Sequence, residues 1–430
     1  MNDYLFFVKI KIIYMTTKKT FCSFCGKEIK KDELAIVGIS GCICEDCLKE
    51  AYEINKEIIA EQPSTQETIA KMPTPHEIKD YLDTYVIGQD DAKKRIAVAI
   101  YNHYKRITQN VDTDDVEIQK ANVLLCGNSG TGKTFLVSTI AKLLNVPFAI
   151  ADATVFTQSG YVGEDVESII TRLLQACDYN VEQAEKGIVF IDEIDKIARK
   201  GSNVSITRDV SGEGVQQGLL KLLEGSNVLV PPNGGRKHPE QKMIEVNTKN
   251  ILFICGGAFE GIEKIIKRRL DLKNNNHAVG FESIIKRNDN ITATNNTANI
   301  LSKITTNDLK TFGLIPEIIG RIPIITHTNA LDKTALKRIL VEPKNALIKQ
   351  YKKLFEIDGI KLTVDDDVLD YIVDKTYENN IGARGLRGIV EDIMTKAMFD
   401  APSSKKKTFH ITLKYVNKHC DNECTDNIAA

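Results

Sequence analysis

The chain has 430 residues, enough for about three domains at roughly 150 residues each. Lysine plus arginine number 57 and aspartate plus glutamate 58, a balance that weighs against a nucleic-acid binder working by bulk charge. Hydrophobic residues make up 42%, so ordinary soluble cores can form, and no apolar run reaches the roughly 18 residues that a membrane helix needs.

Residues 1–15 stand apart. Tyr4-Leu5-Phe6-Phe7-Val8 and Ile10, Ile12 and Ile13 are broken up by Lys9 and Lys11. A secretory signal wants its positive charge first and small residues at a cleavage site, and neither is present. The segment reads as a stray extension with Met15 as the start. That implies a reducing compartment, the bacterial cytoplasm, with an organelle matrix as the alternative.

Residues 16–60 carry Cys22-x-x-Cys25 and Cys44-x-x-Cys47. The spacing fits C-x₂-C-x₁₅₋₂₀-C-x₂-C, a structural zinc pattern, in which four thiolates close a tetrahedral site around Zn²⁺. No histidine lies before His76, so a Cys₄ set is the natural one, with Cys42 a spare. Disulfides are disfavoured without a secretion signal, and a redox pair would not need two knuckles. So short a segment buries little core and depends on its metal. Leu48 to Ala60 reads as a helix, and residues 61–72, with Pro63, Ser64 and Thr65, as a linker.

From Pro73 the pattern changes. A helix is expected from Asp90 to about Arg106. Short apolar runs then alternate with helical segments: Val123–Cys126, Phe148–Ala151, Ile188–Ile191, Ile251–Cys255 and Ile322–Ile325. Such runs indicate a parallel sheet covered on both faces. After the first run comes Gly127-Asn128-Ser129-Gly130-Thr131-Gly132-Lys133-Thr134, which fits the P-loop at every fixed position, with an apolar helix behind it. Its backbone N–H groups can wrap phosphate oxygens. Lys133 then reaches the β- and γ-phosphates and Thr134 ligates Mg²⁺. The run Ile188 to Ile191 ends in Asp192-Glu193, a Walker B pattern. Asp192 would hold Mg²⁺ and Glu193 would activate water. Solvated acids at a strand end would look the same, and the preceding P-loop decides between the two.

The P-loop, Ile191-Asp192-Glu193-Ile194-Asp195-Lys196 and Gly160-Tyr161-Val162-Gly163-Glu164 together resemble the ClpX family of AAA+ unfoldases. The resemblance runs from about Cys22 to Pro402 and takes in Val86-Ile87-Gly88-Gln89, Gly234-Gly235-Arg236-Lys237-His238-Pro239, Leu314 to Arg321 and Gly382-Ala383-Arg384-Gly385-Leu386-Arg387. It implies an α/β fold: an AAA+ large domain at 73–326, a mainly helical small domain at 327–416 and a tail at 417–430. It implies a homohexamer that unfolds protein substrates with ATP, receives substrates or adaptors through the zinc module, and feeds the peptidase ClpP. Val86 and Ile87 lie near the adenine. Arg321 is an arginine finger for the neighbouring subunit, and Arg384 a second sensor. Tyr161 and Val162 form a gripping pore loop, with Arg208 in a second loop and Arg236, Lys237 and His238 at the entrance. Val279-Gly280-Phe281 stands where the family docks on the peptidase with Ile or Leu first. On the residues alone, Tyr161 could pack down on its own domain, and Arg321 could be a surface ion pair.

In the last part, helices are expected at about 332–341, 344–356, 366–378 and 385–399. Ile360, Leu362 and Val364 alternate, as do Phe409, Ile411, Leu413 and Tyr415, and read as two strands that pair. The tail with Cys420 and Cys424 carries no functional reading. Three rivals remain. The related unfoldase HslU has no zinc module. A zinc-ribbon nucleic-acid motor fits poorly with the neutral charge and the apolar Tyr161-Val162. A non-enzymatic zinc adaptor would not need an intact Lys133, Asp192 and Glu193. No nucleic-acid or membrane partner is expected.

Overall fold

A computed structural model describes residues 20–29, 35–37, 41–61, 72–109, 116–157, 164–199, 212–231, 243–274, 300–379, 381–402 and 407–420. The chain divides into two compact units, Met1–Met72 and Pro73–Ala430. Within the first, β1 (Thr20–Phe21) pairs antiparallel with β2 (Glu28–Ile29), and β3 (Ala35–Val37) with β4 (Cys42–Cys44). A helix, Glu45–Glu61, follows directly, with Glu45 and Asp46 in its first turn, where negative charge complements the helix dipole.

The second unit opens on the helix Pro75–Asp83. Thr74 and Glu77 form a reciprocal capping box, with proline at the first helical position. Thr-x-x-Glu with Pro75 is a sequence-level start signal. Next comes Asp90–Thr108, with Asp90 and Asp91 in its first turn and Lys105 and Arg106 in its last. Its buried side is Ala92, Ile96, Ala97 and Ile100, one stripe at helical spacing.

The sheet contains β5 (Val123–Cys126), β6 (Phe148–Asp152), β7 (Ile188–Asp192), β10 (Leu252–Gly257) and β11 (Ile324–His327). All its pairs are parallel, in the order β11-β5-β10-β7-β6. A separate antiparallel hairpin joins β8 (Asn227–Val230) to β9 (Ile244–Asn247). The central strands β5 and β10 are buried throughout, which explains their unbroken apolar runs.

Several strand limits differ from the sequence reading: β6 and β7 each run one residue further, to Asp152 and Asp192, and β10 begins at Leu252 rather than Ile251. β11 begins at Ile324, not Ile322, because Pro323 has no N–H to give a ladder. It ends at His327, so a division at 326 falls inside it. β10 continues through Gly256 and Gly257, which pair with Leu125 and Cys126. A Cβ on Gly256 would lie 2.5 Å from Phe190, and one on Gly257 2.7 Å from Phe259. The glycines therefore extend the strand where aromatic rings fill the space.

The C-terminal part has its own core, with Leu340, Val368, Ile372, Leu386, Val390 and Met394 at its centre. Helices Lys333–Val341, Leu347–Ile357, Asp366–Glu378 and Ala383–Asp400 surround β12 (Lys361–Val364) and β13 (Thr408–Ile411), which pair in parallel. The second strand stops at Ile411. Leu413 and Tyr415 belong to a helix, Leu413–Cys420, which turns on Thr412, whose carbonyl accepts from the amides of Tyr415 and Val416. Two alternating residues are too few to specify a strand, and the turn at Thr412 ends the ladder. Among the described residues, no helix is long and apolar enough to cross a membrane.

Candidate nucleotide and zinc sites

The phosphate loop leaves the sheet at Cys126 and re-enters regular structure at Lys133, the first residue of the helix Lys133–Leu144. Leu136, Val137 and Ile140 bury one face of that helix, worth about 1.5–3 kcal/mol each in removed apolar surface, and so anchor the loop's far end. Gly130 and Gly132 have positive φ, 76° and 91°, a region that side chains with a Cβ rarely adopt. At Gly130 the space is also closed: a Cβ would lie 2.5 Å from the carbonyl oxygen of Ile381.

Lys133 is buried. Its Nζ donates to the carbonyls of Gly127 at 2.6 Å and Asn128 at 3.0 Å. Burial lowers its pKa, opposed by Asp192 and Asp195, while the charge of Arg384 pushes the same way as burial. The Thr134 hydroxyl donates to Asp192 Oδ2 at 3.0 Å, and Asp192 Oδ1 accepts the N–H of Glu193 at 2.9 Å. A hydroxyl and a carboxylate so placed are hard oxygen donors that suit Mg²⁺. The backbone amides of the loop, at a helix N-terminus, suit the phosphates it accompanies. Glu193 is exposed and has a left-handed backbone, φ 57°, which turns the chain out of the strand.

The small domain closes over this loop. Ala383 N–H donates to the Gly130 carbonyl at 3.1 Å, and Arg384 is the second residue of the helix Ala383–Asp400. Val86 and Ile87 are buried beside a cavity of ≈ 660 Å³ that Arg338, Glu342 and Lys344 bound from the small-domain side. Lys344 N–H donates to the Thr84 carbonyl at 2.8 Å across the same junction. Lys93, almost fully buried, donates from Nζ to Asp83 and to the Val86 carbonyl, both at 2.6 Å. It fixes this segment, and no pattern in the sequence marks it.

Arg321 ends the short helix Pro316–Arg321 and pairs with Glu224 in the same chain at 2.9 Å, both half exposed. Asn122 donates to the carbonyls of Arg321 at 2.7 Å and Leu223 at 3.2 Å, binding that helix to the end of the helix Glu213–Glu224. Asn122 and Glu224 went unread because the groups they hold lie far away in sequence. Tyr161, Val162, Arg208, Arg236, Lys237, His238, Val279, Gly280 and Phe281 lie outside the described residues.

In the N-terminal unit the sulfurs of Cys22, Cys25, Cys44 and Cys47 lie within 4.8 Å of one another. Cys25 and Cys44 sulfurs are 3.7 Å apart, close to the edge of about 3.8 Å that tetrahedral Zn–S bonds of about 2.3 Å require. The Cys22 sulfur accepts N–H bonds from Phe24 and Cys44, each 3.4 Å. Backbone donors, with that of Cys25 first and that of Cys44 next, bring the Cys22 thiol down to about 6. The crowd of sulfurs, Cys25 foremost, pushes the Cys47 thiol up. Four thiolates so close would repel one another, and a divalent cation bound among them offsets that charge. The donor set therefore fits zinc. Cys42 instead donates to the Phe21 carbonyl at 2.9 Å.

Comparison with known proteins matches three stretches to family models. Residues 20–57 match the ClpX C4-type zinc finger, 118–325 an AAA domain of the Cdc48 subfamily, and 331–413 the C-terminal, D2-small domain of ClpB protein. Among curated relatives, the ATP-dependent Clp protease ATP-binding subunit ClpX of Bacteroides thetaiotaomicron is 60% identical over 409 residues, 94% of this chain and 96% of that protein. The subunits of the same name from Bacteroides fragilis and Porphyromonas gingivalis are 60% and 58% identical, over 93% of this chain and 95% and 96% of their own lengths. A zinc-finger match specific to ClpX disfavours the HslU-like and nucleic-acid-motor readings. With a P-loop, an Asp-Glu strand end, a small domain seated on the loop and a four-cysteine cluster in front, this chain belongs to the ClpX family, an AAA ATPase that takes ATP, Mg²⁺ and Zn²⁺.

Proposed function

We propose that this chain is an ATP-driven unfoldase and translocase that works as a homohexamer and delivers unfolded proteins to a ClpP-type peptidase. The contact of Ala383 with Gly130 carries the mechanical half of this reading. The small domain rests directly on the phosphate loop, so a change at the phosphates reaches the angle between domains. The names of its relatives, subunits of the Clp protease, support the peptidase half.

In this reading Lys133 and the loop amides hold the phosphates, and Thr134 and Asp192 would hold Mg²⁺, which would supply charge neutralisation for phosphoryl transfer. Val86 and Ile87 line the base. Glu193 orients water, and Arg321 leaves Glu224 to meet the γ-phosphate of the neighbouring subunit, where a planar, permanently charged guanidinium suits the task. Arg384 reads the nucleotide from the small domain. Tyr161 and Val162 grip substrate sterically, Arg208, Arg236, Lys237 and His238 select and guide it, and Val279-Gly280-Phe281 docks the peptidase. Cys22, Cys25, Cys44 and Cys47 hold zinc in a module that receives adaptors or substrates. The setting is the bacterial cytoplasm.

The test is unfolding of a stable tagged reporter by the purified chain with ATP, with DNA-stimulated ATPase as the control. Unfolding is expected, together with a fall of about tenfold for Tyr161→Ala at nearly unchanged ATPase. An ATPase that DNA stimulates, with no unfolding, would overturn the reading.

A further inference from the structure

Thr328 leaves β11 and is buried beneath the phosphate loop. Its hydroxyl oxygen lies 2.7 Å from that of Thr131, which donates its own hydrogen to the Asn128 carbonyl at 2.8 Å. Thr131 has one hydrogen to give, so Thr328 is the donor in the pair. The alternative acceptor for Thr328, the Cys126 carbonyl, is 3.5 Å away, too far to compete. Thr328 N–H donates to that same carbonyl at 2.8 Å, and its side chain fills the place that a Cβ on Gly127 would take.

The next residue is held from the opposite side. Asn329 N–H donates to Gln89 Oε1 at 2.6 Å, and the Asn329 carbonyl accepts from Gln89 Nε2 at 2.9 Å. Gln89 is buried and left-handed, φ 60°, a conformation that residues with a Cβ rarely adopt and that this two-way clamp keeps. Three residues on, Asp332 caps the first helix of the small domain. Two consecutive residues at the exit of the sheet thus join the phosphate loop and the Val86–Gln89 segment, immediately before residues 330–331, the hinge to the first helix of the small domain.

We propose that Thr328 is a positioning residue that couples occupation of the phosphate loop to the hinge, through its hydroxyl on Thr131 and the adjoining clamp of Gln89 on Asn329. The inference rests on the nucleotide reading of that loop. Phosphates that draw in the amides of residues 128–132 hold the Thr131 hydroxyl in place. That in turn holds Thr328, and a free-energy link between two sites acts in both directions.

Hydrogen exchange reads this directly, because the Thr328 and Asn329 amides are both donors in the device. With the full chain and magnesium adenosine 5′-(γ-thio)triphosphate, nucleotide is expected to slow exchange at these two amides by about tenfold. Thr328→Val keeps the shape and removes the donor. It is expected to cut that slowing to less than about twofold while the nucleotide Kd stays within about threefold, and Thr328→Ser restores it. Thr131→Val removes the acceptor from the other side and, compared at saturating nucleotide because it lies in the phosphate loop itself, is expected to cut the slowing likewise, which covers the case where Thr328→Val fails to fold. Persistence of the full slowing in either valine variant that folds overturns the proposal, as does loss of nucleotide binding in Thr328→Val that serine does not rescue. An unsubstituted chain that binds nucleotide without slowing overturns the coupling alone. One that binds none overturns the ATPase reading and the coupling with it.

Discussion

Glu193 shows how the fold sets a single residue for the role proposed for it. Its N–H is tied to Asp192 Oδ1 at 2.9 Å, and its backbone sits at φ 57°, at a cost on the order of 1 kcal/mol. The turn sends consecutive acids apart, Asp192 towards Thr134 and Glu193 into the open. Among the described residues the Glu193 carboxylate has no ion-pair partner, which leaves it to take a water. Glu193→Gln is therefore expected to retain ATP binding and lose turnover by about 100-fold or more, measured as steady-state hydrolysis beside equilibrium nucleotide binding. Unchanged turnover would remove Glu193 from the role of base. The strand-end acids were legible from their place after four apolar residues. The left-handed turn that separates them was not, because backbone conformation at one residue is settled by its neighbours in space.

At the scale of elements, the end of the sheet opposite the nucleotide is held by basic side chains. His103 Nε2 donates to the Asn250 carbonyl at 3.0 Å, Arg106 to the Lys249 carbonyl at 2.9 Å, and Lys120 to that of Thr248 at 2.8 Å. With its proton on Nε2, the buried Nδ1 of His103 has no partner. A second proton there would face no acceptor and stand near Arg106 and Lys120. Burial first, and then those cations, push the His103 pKa down to about 3. The unfolded imidazole takes its proton near 6.5, so between these values the unfolded chain binds more protons and stability falls as pH falls. The large domain is expected to hold this contribution above about pH 6.5 and lose on the order of a few kcal/mol on the way down towards pH 3. His103→Gln should flatten the decline, read from denaturant midpoints across that range. An equal slope in both proteins would assign the acid sensitivity elsewhere.

On the scale of the whole molecule, Arg321 sits on the surface of its own subunit and pairs with Glu224. An exposed pair of this kind is worth about 0–1 kcal/mol, so it parks the guanidinium without holding it. If Arg321 serves the next subunit's nucleotide, Glu193→Gln and Arg321→Ala are each inactive alone, but mixed rings contain some sites with both groups. Recovery of a fraction of the ATPase, on the order of a quarter of the sites in an equal mixture, is the expected outcome, since trans fingers add their effect at the partner's site. No recovery in mixtures shown to co-assemble would place Arg321 in a purely structural role.

What the sequence determined by itself was local and chemical. The phosphate loop, the acid pair, the two cysteine knuckles and the five apolar strands each depend on residue types at short spacings, and short spacings survive folding unchanged. Their order along the chain sufficed for the family. The tertiary structure decided what depends on distant groups meeting: Thr328 under Thr131, Asn329 clamped by Gln89, Ala383 on Gly130 and Glu224 on Arg321. It also decided that Leu413 and Tyr415 continue as helix, since two alternating residues are too few to specify a strand and the turn at Thr412 ends the ladder. Hydrogen bonds between residues 197 or 240 positions apart leave no pattern along the chain. That is why the chemistry of this ATPase was open to reading and its coupling was not.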